Sequence, residues 1–306
     1  MTRALLISNP FAARAHSRAV TVIRDILQGG GWTVEVHTTA GPGDARQVAA
    51  DARGAGFDVL VSHGGDGTAM QVAAAIVGTG ITLGLVPGGT GNLLAGNLRL
   101  PRTAASAARA LLKARRLQID VGVVERNDGP HYFAVAAGAG FDAQLMADTG
   151  LQAKRRWKFA AYLVRAITSL STVHSVPHRV VVDGTVHEVP AAMLLVLNCG
   201  KLLPAFMNLR RSLVPDDGWL DIVAVDADGA LQSLSAVAEL LLSGESKGQG
   251  RRVWWTRGRS VRVEVADGKA RPVQLDGEVF GTTPFEARLL SGGLPVLVGA
   301  DFKAHR

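Results

Sequence analysis

The stretch HGGDGT, residues 63–68, combines three glycines with one carboxylate and one hydroxyl directly after an apolar run. Glycine has no side chain, so it adopts positive φ and lets backbone N–H groups approach an anion closely. A helix that starts at such a turn presents its positive N-terminal end to the same anion. These residues therefore predict a phosphate-binding loop. A tight turn in which Asp66 or Thr68 caps a helix is the structural alternative.

Asp66 is the most informative residue of this loop. A carboxylate beside a phosphate is unfavourable unless a divalent metal, a cationic group or a proton-transfer role offsets the repulsion. We therefore predict that Asp66 takes part in the chemistry, by holding a metal ion or its waters.

A second glycine-rich stretch, PGGTGN at residues 87–92, follows the next apolar run. Two such loops after successive strands are stronger evidence for a phosphate site than one loop alone. Neither loop has the spacing of a dinucleotide-binding fingerprint with its downstream acid, and neither carries the lysine of a P-loop. The pair therefore predicts a nucleotide site of another type.

The first 125 residues alternate short β-rich runs with helical patterns. Strands are predicted near residues 4–8, 32–37, 57–62, 81–86 and 117–124, and helices near residues 17–28, 43–53, 69–77 and 103–114. Such alternation is typical of a parallel sheet wrapped by helices. Ligands of these sheets bind beyond the carboxyl ends of the strands, which is where both glycine loops lie.

After about residue 125 the pattern changes, because strands follow one another with turn signals such as Asp183-Gly184 between them. This pattern predicts an antiparallel β-sandwich, interrupted by helical segments at 151–173 and 230–242. We therefore expect a Rossmann-like α/β nucleotide domain over residues 1–125 and a β-sandwich acceptor domain over residues 126–306. The last strand or tail is a candidate to pack back on the first domain, and the active site is expected in the cleft between the two.

Composition restricts the class of protein. The chain is 47% hydrophobic, yet its apolar stretches fall short of the roughly 20 residues that cross a bilayer. The only cysteine, Cys199, has no internal disulfide partner and is predicted to be a buried, inert thiol. We therefore expect a cytoplasmic protein. The net charge of +7 favours an anionic partner such as a nucleotide, a nucleic acid or an acidic lipid surface.

Five motifs, taken in order, resemble those of the diacylglycerol kinase catalytic family. They are GGDGT at 64–68, PGGTGN at 87–92, AGAGFDA at 137–143, DDGWLD at 216–221 and DGE at 276–278. The sequence is most similar to the soluble bacterial lipid kinases, which are related to sphingosine kinases and more distantly to NAD kinases. The resemblance implies an ATP- and magnesium-dependent kinase acting on a lipid hydroxyl. Diacylglycerol is the first candidate acceptor, and a sphingoid base, ceramide or phosphatidylglycerol is the alternative.

The resemblance also implies roles for individual residues. Glu278 is the expected general base, with Asp66 and Asp120 as further catalytic residues. Asp217, with the backbone carbonyls of Val214 and Trp219, matches a magnesium site. The expected nucleotide-binding residues are Asn9, Pro10, Thr39, Gly64, Gly65, Asp66, Gly67, Thr68, Ala69, Met70, Gly89, Thr90 and Asn92. The structural alternatives are a hairpin turn at Glu278, a loop carboxylate at Asp217 and a polar strand end at Asp120.

The sequence departs from the family pattern in three places. Leu93 follows Asn92 where the family often has an aspartate, and Phe11-Ala12-Ala13 follows the early Asn-Pro turn where the family usually has Ser-Gly. Residues 202–207 replace a glycine cluster, which affects the expected acceptor pocket. We expect activity to survive the change at Leu93.

A basic cluster beside an aromatic residue predicts contact with anionic phospholipids at the inner face of the membrane. The cluster comprises Lys154, Arg155, Arg156 and Trp157. Each such charge contributes on the order of 1 kcal/mol near an acidic surface. A core-packed helix with a solvated basic end is the alternative. Nucleic acid is not an expected partner, because a strand that buries one face explains Trp254-Trp255 more simply than base stacking does. The oligomeric state is left open, a homodimer included.

Two rival functions stay open at this point. NAD kinase also uses a GGDGT loop, but the second-domain glycine-threonine loop and the Asn-Glu pair expected of it are not found in this sequence. A catalytically silent regulator that binds lipid or nucleotide is the rival from another class.

Overall fold

The computed structural model describes residues 1–15, 17–140, 174–200, 213–242 and 252–305. Within these residues the chain forms two compact units. The first comprises residues 1–121 and 291–305, and the second comprises the described residues between 122 and 290. The predicted basic cluster at 154–157, the helical segment at 151–173 and the stretch at 202–207 all lie outside the described residues.

The first unit contains a parallel sheet with the strand order β2-β1-β3-β4. Its strands are β1 (Arg3–Ser8), β2 (Thr33–Thr38), β3 (Val59–Gly64) and β4 (Thr82–Pro87). β3 and β4 are buried along their whole length, as expected for parallel strands covered on both faces. The last part of β16 (Phe285–Val298) runs parallel to β4, with Val296 opposite Leu83.

Five described helices accompany this sheet. They are α1 (Ser17–Gly29), α2 (Asp44–Asp51), α3 (Asp66–Ile76), α4 (Leu93–Asn97) and α5 (Ala104–Leu111). α1 buries Ala19, Ile23 and Leu27, which lie four residues apart on one face. α5 begins at Thr103, whose side chain accepts a hydrogen bond from the Ser106 N–H. The short helix α4 was not predicted, because five residues are too few to show a helical period.

The second unit is antiparallel. Its elements are β5 (Arg115–Arg126, shared with the first unit), β6 (Gly129–Phe133), β7 (Ala136–Gly140), β8 (Val176–Val182), β9 (Thr185–Ala191), β10 (Met193–Leu197), β11 (Leu220–Val225), α6 (Gly229–Leu242), β12 (Val253–Gly258), β13 (Ser260–Val265), β14 (Pro272–Leu275), β15 (Glu278–Thr282) and the first part of β16. One sheet has the order β12-β11-β10-β7-β14-β15. Its apolar residues pack with those of β8, β13 and β16 in one core.

Both predicted Asp-Gly turns close hairpins. Asp183 and Gly184 have φ values of 47° and 84°, and Asp276 and Gly277 have φ values of 47° and 87°. Two successive positive φ values define the turn that matches the twist of paired strands. The first turn joins β8 to β9, and the second joins β14 to β15. The second turn places Glu278 at the start of β15.

The predicted fold class, a parallel α/β region followed by an antiparallel β region, is confirmed. The predicted domain boundary at residue 125 falls inside β5, whose residues are divided between the two units. Among the described residues, no helix combines the length and the apolar character that crossing a bilayer requires.

Candidate active site

The first glycine loop connects β3 to α3. Gly64 ends the strand, and Gly65 precedes the helix with extended angles, φ −89° and ψ −175°. Among the described residues no side chain caps the start of α3, and the first N–H groups of a helix have no acceptor within the helix itself. A side chain at position 64 would place its Cβ 2.7 Å from the Thr68 hydroxyl, which explains the glycine. The turn therefore presents backbone donors at the positive end of a helix.

The second glycine loop is bonded directly to the first. The N–H groups of Gly88 and Gly89 both donate to the Gly64 carbonyl, at 2.8 and 3.1 Å. A Cβ at Gly89 would lie 2.6 Å from the Gly65 Cα, so only glycine permits this approach. A cavity of about 10 Å³ lies between the loops and is too small for a nucleotide.

Asp66 joins the first loop to α4. Its Oδ1 accepts hydrogen bonds from the N–H groups of Leu93 at 2.6 Å and Leu94 at 3.4 Å. Burial raises the pKa of Asp66 above its usual value, and these N–H groups partly offset that rise. The predicted role of Asp66 as a metal holder stays a prediction, but one of its oxygens is already bound within the protein.

Asn92 closes the second loop. Its backbone is left-handed, with φ 52°, and it is the residue before α4. Its side-chain oxygen accepts from the Gly89 N–H at 3.0 Å, and its side-chain nitrogen donates to the Gly89 carbonyl at 2.8 Å. Among the predicted nucleotide residues, Asn92 therefore has a clear structural task.

Asn9 supports the first loop from β1. Its backbone N–H donates to the His63 carbonyl, and its side-chain nitrogen donates to the Thr68 hydroxyl at 2.9 Å. Its side-chain oxygen accepts from the Phe11 N–H at 3.0 Å, which forms the predicted Asn-Pro turn. Asn9 therefore contributes here by fixing the loop.

The remaining predicted nucleotide residues differ in exposure. Pro10 and Thr90 are exposed; Gly65, Gly67 and Met70 are partly exposed; Thr39, Gly64, Thr68, Ala69 and Gly89 are buried. Thr39 donates its backbone N–H to the Ser8 carbonyl, so it continues the pairing of β1 and β2. All of these residues lie in the first unit, around the carboxyl ends of β1 to β4.

Sequence reasoning missed His63. This residue is fully buried, and its Nδ1 donates to the Val86 carbonyl at 3.1 Å, which joins the ends of β3 and β4. Gly88 leaves room for the ring, because a Cβ there would lie 3.1 Å from the His63 Cε1. The available signal was a polar residue at the end of an apolar strand.

Asp120 is buried at the point where β5 meets β16 in the first unit. Its Oδ1 accepts from the Gly292 N–H at 2.7 Å, and Gly292 has a φ of 60°. This bond gives Asp120 a structural task. Its expected catalytic role stays a prediction.

The β14–β15 hairpin carries two carboxylates with different surroundings. Asp276 accepts three consecutive backbone N–H groups, from Ala134 at 2.8 Å, Val135 at 2.9 Å and Ala136 at 2.8 Å. Glu278 is exposed, and no hydrogen bond or ion pair involves its carboxylate within the described residues. Asp276 therefore fixes the turn, while the Glu278 carboxylate is available for a ligand.

The predicted magnesium site at Asp217 contains an arginine. Asp217 Oδ2 accepts from Arg257 Nη2 at 2.7 Å, and its Oδ1 accepts from the Trp219 N–H at 3.0 Å. Arg257 also forms a two-point ion pair with Asp221, at 2.9 and 3.0 Å. Burial raises the pKa of Asp217, although the Arg257 charge opposes the shift. Both Asp217 oxygens accept hydrogen bonds, and the Arg257 charge lies where a cation would bind, so the expected magnesium role of Asp217 stays a prediction.

Within the described residues, no cluster of three or more His, Cys, Asp or Glu side chains is arranged to hold a metal. The expected site at Asp217 consists of one carboxylate and the backbone carbonyls of Val214 and Trp219, so it is not a cluster of this kind and stays a prediction. The Trp219 ring lies beneath the Arg259 guanidinium, 5.1 Å from its centre.

Cys199 is buried, as predicted. Its thiol donates to the Ala134 carbonyl at 3.1 Å. Burial and the nearby negative charges of Asp276, Asp217 and Asp216 raise its pKa well above the usual value. The thiol therefore stays protonated at neutral pH, which agrees with an inert core residue.

A groove of about 860 Å³ lies in the second unit beside β15. Val279, which follows Glu278, lines this groove with half of its surface exposed. The apolar part also includes Val123, Val124 and Phe285. Arg126 lies 5.0 Å over the Phe280 ring and donates to the Phe280 carbonyl at 3.1 Å. The groove therefore presents both apolar and charged surface.

The two units and their loops define the class of two-domain lipid kinases. Residues 3–124 match the family model of the diacylglycerol kinase catalytic domain. Residues 134–298 match the YegS C-terminal NAD kinase beta sandwich-like domain. The chain belongs to the YegS-like lipid kinase family.

Curated relatives agree with this assignment. The chain is 33% identical to the "Probable lipid kinase YegS-like" of Pseudomonas aeruginosa strain UCBPP-PA14, over 85% of this chain and 81% of that protein. It is 29% identical to the protein of the same name from Pseudomonas putida, over 91% and 90% of the two chains. It is also 27% identical to "Uncharacterized protein sll0036" of Synechocystis sp. over 69% of this chain, a match that spans 48% of that longer protein.

Solved structures share the fold. The crystal structure of a diacylglycerol kinase from Bacillus anthracis aligns with a TM-score of 0.75 at 21% identity, covering 98% of this chain and 97% of that one. A second crystal structure from the same organism aligns with a TM-score of 0.82 at 24% identity, covering 97% and 95% of the two chains.

Proposed function

We propose that this lipid kinase transfers the γ-phosphate of ATP, bound as its magnesium complex, to a free hydroxyl of a glycerolipid. Diacylglycerol is the first candidate acceptor. The observation that carries the proposal is the GGDGT turn, whose helix α3 starts without a side-chain cap. This arrangement suits a triphosphate, since the free N–H groups and the helix dipole both favour an anion.

The two glycine loops contribute differently to the proposed site. The first amides of α4 already donate to Asp66, and those of Gly88 and Gly89 already donate to Gly64. The first turn of α3 is therefore the favoured phosphate contact. The second loop serves as the wall that holds this turn in place, with the exposed Thr90 hydroxyl as a further donor.

Glu278 is the proposed general base. A lipid hydroxyl is a poor nucleophile at neutral pH, and a carboxylate within hydrogen-bond reach contributes about 10²- to 10⁴-fold in rate. Glu278 is the predicted catalytic acid whose side chain has no bond inside the described part of the protein. In the proposed step, Glu278 accepts the hydroxyl proton while the oxygen attacks the γ-phosphorus and the bond to ADP breaks.

The choice of a lipid acceptor is supported by the groove beside β15. Its apolar lining residues suit hydrocarbon, and its charged residues suit a polar headgroup or a glycerol backbone. The relatives named as YegS-like lipid kinases and the Bacillus anthracis structure named as a diacylglycerol kinase support the same acceptor class. We further propose that the protein works in the cytoplasm on the inner face of the membrane, since its net charge of +7 favours acidic phospholipids.

A transfer assay tests the proposal. The full chain is incubated with γ-labelled MgATP and with detergent micelles that each contain one lipid: diacylglycerol, sphingosine, ceramide or phosphatidylglycerol. We expect label in the diacylglycerol sample after lipid extraction. Micelles without lipid measure ATP hydrolysis, and NAD in place of lipid tests the NAD kinase alternative.

Three results contradict the proposal in different ways. Label in another lipid alone changes the acceptor, and label in NAD alone changes the enzyme class. No transfer to any acceptor, together with measurable binding of ATP or vesicles, identifies a silent binding protein.

A further inference from the structure

We propose that Asp66 is a positioning residue that latches the two glycine loops together, and that it does not contact a metal ion or the reacting atoms. This inference rests on the proposed function, because the latched loops are the proposed ATP site. It differs from the sequence-based prediction, in which Asp66 holds a metal ion or its waters.

The latch is a set of backbone bonds to one carboxylate. Asp66 Oδ1 receives the N–H groups of Leu93 and Leu94, which are the first two residues of α4. A carboxylate that accepts N–H groups at the start of a helix acts as a helix cap. Its negative charge also interacts favourably with the positive end of the helix dipole. Asp66 belongs to the first turn of α3, so this single side chain connects the starts of two helices.

Gly91 shows that the carboxylate is packed on its other side as well. A Cβ at position 91 would lie 2.6 Å from Asp66 Oδ2, closer than atoms tolerate. The second loop therefore needs glycine at position 91 in order to close around the carboxylate. Asp66 Oδ1 is therefore bound by the start of α4, and Asp66 Oδ2 faces Gly91 of the second loop.

The latch also explains how a carboxylate is tolerated in a phosphate loop. The N–H groups of Leu93 and Leu94 direct their partial positive charge at Asp66, which reduces the repulsion that the phosphate would feel. No cation is needed for that purpose. Without the carboxylate, α4 loses its cap, and the remaining connections between the loops are the bonds from Gly88 and Gly89 to Gly64.

A conservative replacement separates a latch from a chemical role. Asp66→Asn keeps an oxygen that accepts from Leu93 and Leu94 but removes the charge, whereas Asp66→Ala removes the acceptor. If Asp66 is a latch, Asn retains kcat/KM for ATP within about tenfold of wild type, and Ala loses about 10²-fold through misplaced loops. The Ala variant should raise KM for ATP, because the phosphate donors are no longer aligned.

A glycine pair supplies a matched control within the same segment. Gly91→Ala pushes against Asp66 Oδ2 and should reproduce the effect of Asp66→Ala on KM for ATP. Gly96→Ala makes the same change inside α4, where a Cβ meets no atom within 4 Å, so activity should stay at the wild-type value.

Hydrogen exchange measures whether Asp66 holds the loops together, and this measurement does not depend on catalytic turnover. Amides in residues 87–97 should exchange faster in Asp66→Ala and in Gly91→Ala, and at the wild-type rate in Asp66→Asn. The inference is overturned if Asn loses as much activity as Ala while its exchange is unchanged, because the charge then acts in the chemistry. It is also overturned if Ala leaves the exchange unchanged. If the wild type transfers no phosphate, the proposed function fails, and the exchange measurement still decides the latch.

Discussion

The glycine-loop region of the first unit and the β14–β15 hairpin of the second unit use carboxylates in opposite ways. In the loop region, Asp66 accepts from backbone N–H groups and holds the loops in place. In the hairpin, Asp276 takes that structural task with three N–H groups, and the Glu278 carboxylate, two residues later, has no hydrogen bond or ion pair among the described residues. The comparison shows that, in the hairpin, the carboxylate that fixes the backbone and the carboxylate proposed for proton transfer are two different residues.

The largest expected effect is on kcat, and it tests the carboxylate of Glu278. Glu278→Gln should lower kcat by about 10²- to 10⁴-fold, because the amide cannot accept the hydroxyl proton. Its melting temperature should equal that of the wild type, since the carboxylate has no partner in the described protein. Glu188→Gln, an exposed glutamate of β9, is the matched control and should change neither value. A wild-type kcat in Glu278→Gln would show that Glu278 is not the general base, and the proposed difference between the two regions would then be wrong.

The next effect tests the bound acid of the same hairpin. Asp276→Ala leaves three backbone N–H groups without their acceptor and should lower the free energy of unfolding by about 2–3 kcal/mol. Urea denaturation of the full chain measures this loss. A wild-type unfolding curve for Asp276→Ala would show that the three hydrogen bonds do not fix the turn.

Arg257 tests, with a smaller expected effect, whether a bound carboxylate depends on its hydrogen-bond donor. Arg257→Ala leaves Asp217 and Asp221 without their cation and should lower the free energy of unfolding by about 1–2 kcal/mol. Arg262→Ala breaks exposed ion pairs and should leave the unfolding curve close to that of the wild type, so it serves as the control.

Adding magnesium tests directly whether the Asp217 carboxylate binds a metal ion. Because Arg257 already occupies the Asp217 carboxylate, magnesium without nucleotide should leave the melting temperature of the wild type unchanged. A clear rise in melting temperature would show that magnesium displaces Arg257 and that the magnesium site expected from the family resemblance forms.

The smallest effect is a pH dependence. Burial raises the pKa of Asp66 in the folded protein, so the folded state binds more protons than the unfolded state between the two pKa values. The stability contribution of this group is therefore present at low pH and is lost as pH rises through the folded pKa. Asp66→Asn does not titrate. The wild-type stability minus that of Asp66→Asn should thus fall as the pH rises above about 3.9, the usual pKa of an unfolded aspartate, which denaturation at each pH measures. An increase would contradict the raised pKa.

The sequence predicted the strands and the longer helices of both regions, because their signals are local. Apolar runs and glycine turns identified β3, α3 and the start of β15, and the Asp-Gly pair identified the hairpin. The helix α4 was missed because its five residues show no helical period and because Asp66, which accepts its first N–H groups, lies 27 residues earlier in the chain. Local periodicity carries no information about such a partner.

The same limit applies to the candidate site. Residue types indicated which acids were candidates, but the bonds of Asp66, Asp120 and Asp276 come from distant backbone N–H groups. Every residue except proline has a backbone N–H group, so a sequence motif does not show which N–H group binds a given carboxylate. Arg257 was not predicted as a site residue, since its partners Asp217 and Asp221 lie 40 and 36 residues away in the chain.

The division of β16 between the two units has a consequence for how the chain is made. Residues of its last part lie beside β4, and Gly299 and Phe302 bond to Leu98 and Arg115 of the first unit. Until these residues leave the ribosome, β4 presents an unpaired strand edge, which is prone to join other chains. The first unit is therefore synthesised first but completed only when residues 291–305 have been made.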